Sequence, residues 1–179
     1  MDRTTTMTWQ ATDGAVYDMG ALMEALRDIK GECPYPILTT IDAPSKRPVS
    51  RAVSACAFCP SDTGFERVRV RVRKGTRKLA HIADDDWGSV CLAFTSAPHK
   101  ACFTLTGRAT CADEQEVPIH EEQRQMSEGT DAGTSGQGAR FAFMEIDVDT
   151  IELVSHGHAL ARDSTGRQPI VLRRTVISS

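Results

Sequence analysis

Residues Lys74 to Ile82, "KGTRKLAHI", place a glycine, a hydroxyl and two cations directly ahead of an apolar-periodic stretch. That stretch predicts a short helix from about Thr76 to Asp86. The first N–H groups of a helix have no partner inside it and lie at the positive end of its dipole, so a helix start flanked by Thr76, Arg77 and Lys78 suits an anion, and a phosphate first of all. The bland alternative is a threonine cap followed by two solvated cations. Just upstream, "ERVRVRVR" alternates Val68, Val70 and Val72 with Arg67, Arg69, Arg71 and Arg73, the period-two pattern of a strand with one buried face. Its arginines fit equally a ligand-facing role and a charged face that discourages edge pairing.

Other reactive residues carry weaker signals. Cys56-x-x-Cys59 has half of a zinc site's ligands, and no second pair has matching spacing, so no metal site is assigned. His156 and His158 fall on one side of a strand end, with no further ligands identified, and are expected in solvent. His81 in the short helix is expected at the surface. No Ser-His-Asp or Cys-His order singles out a nucleophile, and no catalytic residue is assigned.

The elements that must position these residues follow from periodicity. Val16, Met19, Leu22, Met23, Leu26 and Ile29 form the stripe of an amphipathic helix, which Gly31 can stop. "YPILTTID", the turn "APSKRP" and "VSRAVSACAFC" read as a hairpin, then come the Arg/Val strand and the short helix. "SVCLAFTS" and "ACFTLTGRATCA" form a second antiparallel pair across "APHK". "DEQEVPIHEEQRQM" reads as helical, with Pro118 in its first turn. "SEGTDAGTSGQG", within residues 127–138, has almost nothing to bury and reads as a flexible loop. "RFAFMEIDV" and "TIELVSHG" are two further strands, and "RQPIVLRRTVI" can add one. Many short antiparallel strands with few helices predict a mainly β protein, a β-barrel, which also removes exposed sheet edges.

Composition narrows the function classes. The 179 residues favour one domain with a proper core, and the net charge of −3 recommends neither nucleic acid nor an acidic membrane as partner. Seven of the 21 basic residues nevertheless lie between Arg67 and Lys78, with no acid among them. Six scattered cysteines lack the dense framework of a small secreted domain, the N-terminal residues lack a signal-like apolar run, and no stretch is long enough for a membrane span. A soluble, reducing, cytoplasmic setting is expected.

The order of these elements, with Thr76-Arg77-Lys78 after Gly75, "RPVSRAVSACAF", "DDDWGSVCLAF", "FTLTGRATCADEQE" and "MEIDVDTIELVSHG", resembles the flavin-binding split-barrel proteins. These are the pyridoxamine 5'-phosphate oxidase-like family, and the likeness is to its general-stress-protein branch, over roughly residues 17 to 157. The resemblance implies residues 1–16 as an N-terminal tail and 17–179 as one split-barrel domain. It implies a homodimer whose subunits share a cofactor groove, with FMN as cofactor. In that family the hydroxyl-Arg-Lys run holds the flavin phosphate and an opposing strand supplies an arginine and backbone contacts. Carried over here, the clamp is Arg51, Thr76, Arg77 and Lys78, with Ala52, Val53 and Ser54 beside Arg51. Arg71 and Val72 stand where an aromatic-Thr pair is common before the glycine turn. Cys56 replaces a lysine of the oxidases proper, and a flavin-contacting glutamine falls near Ala101 or Cys102. The family's C-terminal arginine and tryptophan segment finds no match in "HALARDSTGRQPIVLRRT", so oxidation of pyridoxamine phosphate is not implied.

What the resemblance implies is an FMN-dependent oxidoreductase acting on a small molecule. The alternative is a non-catalytic cofactor-binding protein, a store or sensor of flavin or haem; F420 or no cofactor are further options for the groove. Nucleic-acid binding by the arginine strand is disfavoured by the negative net charge and the scarcity of outward aromatics.

Overall fold

The computed structural model describes residues 5–53, 56–58, 64–85, 88–113, 141–158, 160 and 168–178. Among them are nine strands and two helices. They are β1 (Thr5–Ala11), α1 (Met19–Gly31), β2 (Ile37–Asp42), β3 (Arg47–Ala52), β4 (Cys56–Phe58), β5 (Arg67–Arg73), α2 (Arg77–Asp84), β6 (Ser89–Ser96), β7 (Ala101–Asp113), β8 (Phe141–Ser155) and β9 (Ile170–Ser178). Every strand pairing is antiparallel, in the order β1-β9-β8-β7-β6-β2-β3, with β5 joining β8 to β4.

The long strand β8 explains how one sheet wraps a core. One of its edges pairs with β7 along its length; the other is divided, residues 141–147 taking β5 and residues 150–153 taking β9. The sheet therefore forks at β8. At the fork the register with β7 shifts, Thr106 facing Thr150 and Gly107 facing Val148, so Asp149 is an extra residue bulged into β8, and a Cβ at Gly107 would run into the Asp147 carbonyl. "RFAFMEIDV" and "TIELVSHG", expected as two strands, run on through that extra residue as the single strand β8.

The Arg/Val alternation holds: Val68, Val70 and Val72 are in the core, while Arg69 and Arg71 are half-buried and Arg67 and Arg73 exposed. Around them pack Leu38, Leu92, Leu105, Met144, Ile146 and Ile151, with Phe94 stacked on Phe103 at 4.5 Å and Phe65 edge-on to Phe103 at 5.7 Å.

Helix α1 begins later than its apolar stripe suggests. The Asp18 carboxylate accepts from the Gly20 and Ala21 N–H groups at 2.9 and 3.2 Å, which caps the helix there. Leu22, Leu26 and Ile29 enter the core and Met19 and Met23 lean on it, but Val16 precedes the cap and is fully exposed. Residues 1–16, read as a tail, contain β1, whose threonines and Trp9 suit a strand and which pairs with β9 over seven residues. The segment from Val49 to Cys59 is not one strand but β3 and β4, with the Val53 N–H turned to the Pro36 carbonyl at 2.9 Å. The helix expected at "DEQEVPIHEEQRQM" and the loop at 127–138 lie outside the described residues.

Candidate functional site

Strand β5 delivers the chain to the cation-rich corner. After Arg73 the turn is made at Gly75, whose φ of 72° is a conformation that glycine adopts without strain. Thr76 is the N-cap of α2 in extended conformation, but its hydroxyl donates backward to the Arg73 carbonyl at 2.9 Å instead of capping the helix. The helix proper starts with Leu79 N–H donating to the Thr76 carbonyl at 3.0 Å, and there is no acid in its first turn. Two cations at an uncapped helix start with no acid in its first turn form a corner of positive potential, offset on the Arg77 side by Asp42 of β2.

A third cation faces this corner from β3. Arg51 lies directly across the ladder from the buried Leu38, and so on the core-facing side of the hairpin, at its end. Burial pushes the Lys78 ammonium below the usual lysine range, and the nearby Arg51 charge pushes it further. Among the described residues no carboxylate lies within salt-bridge distance of Arg51 or Lys78. Like charges held together in a partly dry place are unfavourable by themselves, and an anion between them reverses the sign.

The helix is fixed by a residue expected at the surface. His81 is only 5% exposed, its Nδ1 lying 2.9 Å from Thr40 Oγ1 and its Nε2 3.2 Å from Asp42 Oδ1, both partners on β2. The Asp42 carboxyl is held below the ordinary aspartate range, chiefly by the Ser45 hydroxyl, with contributions from the Ser45 N–H, His81 and Arg77. Ile82, one residue on, anchors the same helix face in the core. His81 is surrounded rather than solvated because α2 lies across the hairpin that carries Arg51, and a polar side chain there needs polar partners.

The structure thus brings Arg51, Thr76, Arg77 and Lys78 to one corner. Ala52 is exposed beside Arg51, while the side chains of Val53 and Val72 are in the core, which leaves only their backbones for any ligand contact. Arg71 sits on the outward face of β5 together with Arg69, which pairs with Glu145 of β8 at 3.0 Å. Arg69 is therefore committed to structure. Ser54 and Cys59 lie outside the described residues. His158 is not simply in solvent: its ring stacks on His99 at 4.6 Å and its Nδ1 lies 2.9 Å from Ser155 Oγ, whereas His156 is exposed. The described residues contain no group of three His, Cys, Asp or Glu side chains fit to hold a metal. They also contain no helix long and apolar enough to cross a membrane.

Solved structures share this architecture. A pyridoxamine 5'-phosphate oxidase-related, FMN-binding protein from Nostoc punctiforme superposes with a TM-score of 0.58 at 12% identity, over 89% of this chain and 96% of that one. A protein related to general stress protein 26 from Clostridium acetobutylicum gives 0.55 at 11% identity, over 90% and 96%. General stress protein 26 from Bacillus anthracis gives 0.51 at 15%, over 74% and 92%. No family model matches the chain and no curated protein matches it. The fold is the split barrel of the pyridoxamine 5'-phosphate oxidase-like proteins, the group that the element order resembles. At these identities the likeness speaks for the fold and leaves the chemistry to the residues.

Proposed function

We propose that the protein binds FMN through its phosphate at the α2 corner and works as a flavin-dependent oxidoreductase on a small molecule. The observation that carries this is the pair Arg51 and Lys78, two cations near enough to feel each other's charge, with no carboxylate within salt-bridge distance of either among the described residues. A phosphate monoester supplies the missing negative charge, accepts from the Arg51 guanidinium and the Lys78 ammonium, and meets the open N–H groups at the start of α2. Arg77, whose charge is felt by Asp42, completes the clamp at the rim. When bound, the isoalloxazine would supply electron or hydride transfer. The chain's own part is to hold the phosphate and orient the rest along the barrel wall.

The groove is completed by a second copy of the chain. The outward row Ile37, Ala93 and Thr104 runs across β2, β6 and β7, and the next row is Thr39, Cys91 and Thr106. Neither row bears a charge, and Ile37 is 40% exposed. This face reaches Ala52, directly across from Ile37 and next in sequence to Arg51, so a partner seated on it would border the clamp. Cys33, Cys91, Cys102 and Cys111 are free thiols, which supports a reducing, cytoplasmic setting.

Saturating the purified protein with FMN and measuring the flavin retained tests the proposal: about one flavin per chain is expected, on a dimer seen by sedimentation. Failure to retain flavin overturns it. Flavin bound without turnover of a nicotinamide donor and an electron acceptor would make the protein a flavin carrier instead.

A further inference from the structure

Two imidazoles meet where three elements come together. His99 lies in the turn between β6 and β7, His158 follows the end of β8, and their rings stack with centroids 4.6 Å apart and planes 26° from parallel. The Nδ1 of His158 lies 2.9 Å from Ser155 Oγ, and its Nε2 lies 3.5 Å from the Asp28 carboxylate of α1. The backbone is drawn in at the same place. The His156 N–H donates to the Lys100 carbonyl at 3.3 Å, the His99 N–H donates to Ser96 Oγ at 3.3 Å, and a Cβ at Gly157 would run into the His99 carbonyl. The stack thus joins the β6–β7 turn to the end of β8, and Asp28 brings in the C-terminal half of α1, beside the buried Ile29.

A proton suits one ring and not the other. With His158 neutral, its buried Nε2 makes no hydrogen bond; with His158 charged, that nitrogen faces Asp28 at ion-pair distance while Nδ1 donates to the Ser155 hydroxyl. His99 has no such support. Among the described residues no carboxylate lies within salt-bridge distance of its ring and no hydrogen bond reaches its ring nitrogens. Of the other titratable groups on these elements, Glu24 and Glu32, one turn before and after Asp28, are exposed and beyond salt-bridge distance of either ring, while Lys100 and His156 add positive charge. Two imidazolium rings stacked this closely, with one carboxylate between them and the solvent, repel each other.

We propose that the His99–His158 stack is an acid-sensitive clasp, which holds α1, the β6–β7 turn and the end of β8 together near neutral pH and lets go when both rings are charged. Imidazole charge ordinarily changes between about pH 5 and 8, so the clasp responds to mild acid in which exposed carboxylates are still ionised. Release is local: it loosens the turn and the last residues of β8, while the core rows behind them stay packed. The clasp needs no ligand and does not depend on the cation corner.

Amide exchange on the full-length protein without flavin, compared at about pH 7.5 and about pH 5.5 and corrected for the intrinsic rate, tests the proposal. Residues 96–101 and 153–158 should open about tenfold more readily at the lower pH. His99→Gln should abolish that rise, because it removes the second charge and keeps the contacts of His158 to Ser155 and Asp28. Proton NMR gives a reading that a merely structural contact would not move: replacing either ring by glutamine should displace the titration of the other. The pH response of the unaltered protein keeps the test decisive if a variant misfolds. No rise in exchange at the lower pH, an equal rise in His99→Gln, or two rings that titrate indifferently to each other would overturn the proposal.

Discussion

The two ends of β5 are opposite in chemistry. At its exit, Arg51, Arg77 and Lys78 crowd positive charge around an open helix start; at its entrance, a cleft lined by Trp9, Met19, Met23 and Glu66 lies beside Arg174, whose guanidinium holds Asp147 at 2.6 and 2.8 Å with Asp149 at 3.7 Å. The first place holds three cations against the single carboxylate of Asp42 and calls for an anion. The second is mostly apolar, and its nearest cation is already neutralised by Asp147 and Asp149.

The sharpest way to break this contrast is the pair Arg51→Ala with Lys78→Ala. Losing two charge-assisted contacts of about 1.5–3 kcal/mol each should weaken FMN at least a hundredfold, read by calorimetry, whereas Glu66→Gln at the entrance should leave FMN affinity unchanged. An equal loss in both variants would mean that the two ends are one site.

Next in size is His81→Ala. It removes the contacts to Thr40 and Asp42 and leaves the Thr40 hydroxyl, 1% exposed, without its partner. Urea denaturation should show a loss of about 2–3 kcal/mol. Rescue of the fold by excess FMN would show that α2, not the distant cleft, is what loosens.

Acid should then act on the same corner. The Asp42 carboxyl is depressed in the folded chain, so its contribution to stability is present above the ordinary aspartate value of 3.8 and is lost as pH falls through the lower folded value. Asp42→Asn should therefore lower stability at neutral pH and lessen its fall between about pH 5 and the acid limit, measured as Tm against pH.

The smallest effect has the opposite sign. Because Lys78 is depressed below 10.5, its charge costs the flavin-free fold at neutral pH, and that cost fades as pH rises toward 10.5. Lys78→Met should raise the Tm of the flavin-free protein by about 1–2 °C at pH 7, with the gain shrinking in alkali, while FMN binds more weakly. A fall in Tm would mean that the lysine is already satisfied.

The two ends also differ in how far the amino-acid order reveals them. The exit corner is largely local: a glycine, Thr76, Arg77 and Lys78 occur within four residues, and the Val/Arg alternation states which side of β5 is buried. Arg51 could be placed only through the family resemblance. His81 carries no local sign of its role, since its partners lie some forty residues earlier on β2. The entrance cleft was invisible because its lining comes from positions 8–9, 19–23 and 64–66, and the threonine-rich start that forms β1 carries only strand propensity as a signal. Val16 shows the converse limit: it continues the helical stripe, but a capping aspartate decides where the helix begins.

The divided edge of β8 has a mechanical consequence. β9 pairs with it over four residues, Thr150 to Leu153, whereas β5 pairs over seven, and among the described residues β1 pairs with no strand but β9. The β1–β9 ribbon is thus the most lightly laddered part of the sheet, held otherwise by Ile170 and Leu172 in the core and by the Arg174–Asp147 ion pair, and should open at a lower free energy than global unfolding. Amide exchange along this ribbon should run ahead of that in β5–β8.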